Sequence, residues 1–129
     1  MTIHVSDEVI PGGSSAARPV TVPQAATTAR ELIRCRIREE VERHNESPGE
    51  VFHGLVQPEE SERILNGFRL QTRRLLNWEV QFERACSSFR RNGFLLVVNG
   101  RQVADLDETI ELQPESEVQF IRLVPLIGG

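Results

Sequence analysis

The run Phe94-Leu95-Leu96-Val97-Val98, followed at once by Asn99-Gly100, constrains this chain more than any other segment. Five strand formers in a row need a neighbouring strand, and Asn-Gly is the dipeptide that best accepts the positive φ angles of a two-residue hairpin. Arg101 to Leu106 is therefore expected to return beside it. Ile110-Glu111-Leu112 reads as a short bridge, Pro114-Glu115-Ser116 as a turn, and Glu117 to Val124 as a last strand of alternating character. Pro125-Leu126-Ile127-Gly128-Gly129 then leaves the sheet as a tail.

The opening of the chain carries the same signals. Thr2 to Val5 and Arg18 to Val22 are β-rich runs separated by the turn residues Ile10 to Ser15, which predicts an N-terminal hairpin. Thr27 or Thr28 can cap a helix in which Leu32, Ile33, Ile37 and Val41 form the apolar stripe, with Arg30, Arg34, Arg38, Glu39 and Glu42 left for solvent. Asn45-Glu46-Ser47-Pro48-Gly49 ends it. After the short apolar piece Val51 to Val56, Pro58 suits a first helical position and Glu59, Glu60 and Glu62 suit its first turn. Leu65, Phe68, Thr72, Leu75, Trp78, Phe82, Cys86 and Phe89 follow a spacing of three and four, which predicts a helical segment up to Asn92-Gly93, broken or kinked at Gly67. Residues 47–92 are thus expected to be a helical insertion, and Trp78 and Phe82 either pack it on the domain or dock a partner.

A length of 129 residues suffices for one hydrophobic core, so a single domain over residues 1–129 is expected. The formal net charge of −4 argues against nucleic acid and anionic membranes as partners. All 15 basic residues are arginine, so the chain has no lysine amine of its own to act as an acceptor. No basic and apolar leader and no membrane-length apolar run occurs, which predicts a soluble, cytoplasmic protein. Cys35 and Cys86 lie far apart on helical positions and are expected to be reduced and structural. His4, His44 and His53 are scattered without ligand-like spacing, so no metal is expected. No phosphate-cradling Gly-Lys motif or triad spacing appears, so the chain is not expected to be an enzyme.

Without residues 47–92 the order is strand, strand, helix, strand, strand, then a terminal Gly-Gly. The last third, with Leu95 to Gly100, Val103, Pro114 to Val118 and the apolar strand running through Pro125 to Gly128-Gly129, resembles the MoaD and ThiS sulfur-carrier families. Those families are similar in fold to ubiquitin and to bacterial ubiquitin-like modifiers. The resemblance implies an α+β fold of β-grasp type, with its sheet packed on a helix and the insertion placed before the third strand. Ser116 stands where those families commonly carry an acidic residue, and the insertion is not part of their minimal members.

The resemblance also implies a chemistry. A ubiquitin-activating type of enzyme, similar to MoeB or ThiF, would join the Gly129 carboxylate to AMP, with ATP bound by that partner and no cofactor bound by this chain. A sulfur nucleophile or an enzyme cysteine would then attack the acyl adenylate. Glycine suits both positions, because Gly128 and Gly129 can thread through a narrow site and leave the carbonyl open to attack. Pro125, Leu126 and Ile127 would form the apolar stem read by the partner. Two outcomes are implied: conjugation to target proteins, with a conjugating enzyme and a deconjugating protease, or a terminal thiocarboxylate that serves a sulfurtransferase and a cofactor synthase.

Overall fold

The computed structural model describes residues 1–10, 12–64 and 67–123. Within them the chain is α+β, with one five-stranded mixed sheet, two smaller sheets and two helices. Strands β1 (Thr2–Ile10), β2 (Arg18–Thr21), β7 (Phe94–Val98), β8 (Arg101–Val103) and β10 (Glu117–Leu123) make the main sheet, in the order β2-β1-β10-β7-β8. β1 and β10 run parallel, with Val5 opposite Val118 and Asp7 opposite Phe120. The other three pairings are antiparallel.

Alternation decides which face is covered. Ile3, Val5, Phe94, Leu96, Val98, Val118 and Phe120 are buried, and the register sets Val118 beside Val98 and Phe120 beside Leu96. Because side chains alternate along a strand, these residues share one face. Against it lies α1 (Ala29–Glu46), whose buried side includes Leu32, Ile33, Ile37 and Val41. Phe94 and Phe120 are almost wholly removed from water, each such side chain contributing about 1.5–3 kcal/mol to folding.

Local chemistry fixes the ends of these elements. Of the two threonines before α1, Thr28 is the cap, its hydroxyl accepting from the Glu31 N–H at 3.2 Å. β3 (Ala26–Thr28) pairs antiparallel with β9 (Thr109–Glu111), so the bridge expected at Ile110 is formed. The β7–β8 turn places Asn99 at φ 49° and Gly100 at φ 80°, the region that asparagine and glycine tolerate best. Asn99 also accepts the Glu117 N–H on its side chain at 2.8 Å, which ties the turn to β10.

The expected helical insertion is corrected in its first half. β4 (Val51–Phe52), β5 (Ser61–Ile64) and β6 (Gly67–Leu70) form a three-stranded antiparallel sheet in the order β4-β6-β5. Pro58 does not start a helix. Its carbonyl accepts the Ser61 hydroxyl at 2.7 Å, and Glu60 takes a φ of 51°, which stops helical propagation. Phe68 and Leu70 are buried and Arg69 between them is exposed, a period of two. Gly67 is required by the close approach of β4, since a Cβ there would lie 2.7 Å from the Phe52 carbonyl oxygen. Among the described residues of this region only α2 (Trp78–Arg90) is helical, capped by Asn77, whose side chain accepts the Val80 N–H at 3.1 Å. Leu65, placed on the helical stripe by its spacing, lies outside the described residues, and Leu75 is 65% exposed.

Candidate functional site

The residues expected to carry the chemistry, Gly128 and Gly129, and the stem Pro125, Leu126 and Ile127, lie outside the described residues. The structure describes the strand that leads to them. β10 occupies the middle of the main sheet, between β1 and β7. Its last two residues, Arg122 and Leu123, line a cleft of about 1060 Å³, and Leu123 is 45% exposed there. The turn after β1, the small sheet and the outer face of α2 supply the other walls, with Leu55, Phe68, Val80 and Arg84 among them. The insertion thus stands beside β10, the strand that precedes residues 124–129 in the sequence.

Trp78 and Phe82 are partly buried and packed against the core. The Arg34 and Arg38 guanidiniums of α1 each lie 5.3 Å from the centre of the Trp78 ring. Contacts of this kind combine a cation over an aromatic face with burial of the arginine stem. α2 is also held to the segment between β4 and β5, through the Gln81 side chain to the Val56 carbonyl at 3.3 Å and Arg84 Nε to the Gln57 carbonyl at 2.8 Å.

A cluster of charged groups that the periodicity did not single out lies where α1, the main sheet and the insertion meet. Arg36 is 3% exposed and donates to both oxygens of Asp7, one of these bonds at 2.7 Å, and to Glu40 Oε2 at 3.3 Å. Its guanidinium also sits 4.6 Å above the Phe120 ring. Glu40 Oε1 accepts the Leu55 N–H at 3.0 Å, and Arg18 reaches Asp7 at 3.4 Å. The signal for this cluster is in the sequence: Leu32, Arg36 and Glu40 are four apart and run beside Ile33, Ile37 and Val41 on the covered side of α1.

The environment splits the two carboxyls. Burial works to raise the Asp7 pKa, but the hydrogen bonds and charge of Arg36, with Arg18 and Arg122 behind it, outweigh burial and hold it below the ordinary aspartate value. For Glu40 burial is the larger effect and pushes the carboxyl above its ordinary value, although Arg36 and the Leu55 N–H act against it. Arg122 is held below its ordinary value, first by burial and also by the like charge of Arg36, with Asp7 pulling the other way.

The remaining polar candidates have structural surroundings. Cys35 and Cys86 are buried free thiols. Burial, with help from Glu31, pushes the Cys35 pKa up to about 11, and burial raises that of Cys86, so neither presents a thiolate near neutral pH. His44 Nε2 donates to the Arg74 carbonyl at 3.0 Å and its ring meets Phe52 edge to face. His4 lies on β1 opposite Pro19, and His53 follows β4. Among the described residues no group of three or more His, Cys, Asp or Glu side chains is placed to hold a metal ion, and no helix is long and apolar enough to cross a membrane.

Comparison with family models, with characterised proteins and with solved structures finds no match to this chain.

Proposed function

We propose that the chain is a ubiquitin-like carrier built on a β-grasp sheet, a substrate of its partners and not an enzyme. In this reading Gly129 is adenylated by a ubiquitin-activating type of enzyme that binds the ATP, passed to an enzyme cysteine, and joined to target proteins. The observation that carries it is the sheet order β2-β1-β10-β7-β8 with β1 and β10 parallel, the helix after the first hairpin, and the Gly-Gly sequence after the central strand. A last strand in mid-sheet is also what ubiquitin-like folds have, which supports this reading. The lack of any lysine suits a protein with an activated carboxylate, since no side-chain amine of the same chain competes with the target. It also predicts that no lysine-linked chains are built on this protein.

A second reading keeps the same activation and ends in a thiocarboxylate that delivers sulfur. The Leu95 to Gly100 strand and turn and the Pro114 to Val118 turn, which resemble the MoaD and ThiS families, favour it. Incubating the purified chain with ATP and a lysate of its source, then determining by intact and peptide mass spectrometry what Gly129 carries, separates the two. An amide bond to lysines of other proteins supports the modifier. A terminal thiocarboxylate supports the sulfur carrier. An unchanged carboxylate in a lysate that activates other carriers, or full cellular function after deletion of Gly128 and Gly129, refutes both and points to an interaction module.

A further inference from the structure

The charged cluster is not closed on itself. Beside it lies a cavity of about 200 Å³ whose walls include Arg18, Arg36, Arg43, Arg122, Asp7 and Glu40. Four guanidiniums against two carboxylates leave an excess of two positive charges around one small space. Both carboxylates are already engaged: Asp7 receives Arg36 on both oxygens, and Glu40 is shared between Arg36 and the Leu55 N–H. Arg122 is left short of acceptors. Among the described residues its Nη1 reaches the Gly54 carbonyl, at 3.5 Å, and no acceptor there pairs with its Nε, which is shielded from water. A buried donor in that state costs about 1–3 kcal/mol, and native structures rarely leave one unmet.

From this convergence we infer that the cavity is a binding site for a phosphate group, held by Arg18, Arg43 and Arg122. Three elements supply these donors: β2 gives Arg18, α1 gives Arg43 and β10 gives Arg122. A planar carboxylate is satisfied by one guanidinium fork, whereas a tetrahedral phosphate offers acceptors in several directions and matches donors that arrive from three sides. Its charge of one to two also matches the excess. Buried Arg36 stays with its carboxylates, and Arg43, exposed and seven residues after Arg36 on the helix, lines the same cavity. The inference does not depend on the C-terminal tail.

Isothermal titration calorimetry of the full chain with sodium phosphate, against sodium chloride at matched ionic strength, tests it. The expected result is saturable binding at one site, weakened about tenfold by Arg43→Ala and lost in Arg122→Ala. Arg43 is exposed, so its variant reads the site even where Arg122→Ala disturbs folding, and circular dichroism reports which has occurred. A chain lacking Gly128 and Gly129 should bind phosphate unchanged, which keeps this outcome separate from that of the carrier reading. Repeating the titration with AMP and ATP identifies the source: tighter binding than phosphate assigns a nucleotide phosphate, and equal or weaker binding assigns the free ion. Absence of saturable heat up to about 20 mM phosphate beyond the ionic-strength control, or binding that neither variant alters, overturns the proposal.

Discussion

Replacing Arg36 by methionine should be the most damaging single change that leaves the main-chain framework intact. Methionine keeps most of the stem's volume over Phe120 but strands Asp7 and Glu40, which share Arg36 between them. Arg36 and Glu40 are 3% and 5% exposed, so water is a poor substitute for the lost donor. Removing one partner from a buried ion pair costs about 3–5 kcal/mol. That is a large fraction of the roughly 5–15 kcal/mol available to a domain. At roughly 4 °C per kcal/mol the melting temperature should fall by about 15 °C. Urea denaturation followed by circular dichroism measures the loss directly. Adding Glu40→Gln should return about 1–2 kcal/mol, because the amide keeps an acceptor for the Leu55 N–H and carries no charge.

The pH dependence provides a second readout. In the native chain Asp7 has a folded pKa below its unfolded value, so its stabilisation is fully present above the ordinary aspartate range and is lost as pH falls through the folded pKa. Glu40 has a folded pKa above its unfolded value, so its ionisation opposes folding increasingly as pH rises from one to the other. Without Arg36 both folded values move upward. The penalty of Arg36→Met should therefore be smaller near pH 4 than near pH 7. A loss below about 1 kcal/mol at pH 7, the size expected of a solvated surface pair, would refute the reasoning, as would a penalty independent of pH.

The other predictions concern α2 and the thiols. Trp78→Ala should destabilise by about 2 kcal/mol in urea, less than the 3–5 kcal/mol of a fully buried tryptophan, since the ring is partly buried beneath Arg34 and Arg38. Val80→Ala, on the same helix but 44% exposed, should change stability by no more than about 0.5 kcal/mol. Equal losses in the two would remove the packing role assigned to Trp78. Cys35 and Cys86 should resist iodoacetamide at pH 8 in the folded chain and react together in urea, as counted by mass spectrometry, and fast native alkylation of Cys35 would contradict its burial and raised pKa.

The parts of the fold that were legible before the structure are those set by neighbours in sequence. Asn99-Gly100 specifies its turn through two residues that accept positive φ, and a threonine cap, legible as either Thr27 or Thr28, and the stripe from Leu32 to Val41 specify α1 in the same local way. The small sheet was illegible because its strands are short and its spacing is ambiguous. Phe68, Thr72, Leu75 and Trp78 satisfy a helical period, yet the buried pair is Phe68 and Leu70, and Leu75 is turned to solvent. A four-residue strand offers too few alternations to outvote the helical pattern. What decides is long-range: β4 must approach β6 closely enough to exclude a side chain at Gly67. The charged cluster escaped for a related reason. Arg36 and Glu40 fall on the covered side of α1, where charge is expected only if partners arrive from elsewhere, and Asp7 and the Leu55 N–H come from segments that periodicity along one helix does not report.

These long-range contacts also determine how the insertion bears on function. α1 holds it by side chains that pair with backbone groups: Glu40 with Leu55, His44 with Arg74, and Asn45 with both the N–H and the carbonyl of Leu76, each at 2.9 Å. Deleting residues 47–92 would leave Glu40 buried or newly hydrated beside Arg36, and would uncover the part of the core that Ala85, Cys86 and Phe89 now cover. The insertion is therefore built into the same core as the sheet and is not an appendage on a finished minimal domain. It also reaches β10, since Arg122 meets the Gly54 carbonyl and Leu123 shares its cleft with Phe68 and Val80. Under the proposed carrier function, an enzyme that approaches the chain beyond Leu123 from the cleft side meets the insertion as well as the sheet. Recognition there would differ from that of minimal carriers, and substitutions at exposed Val80 should alter activation of Gly129 while leaving folding unchanged.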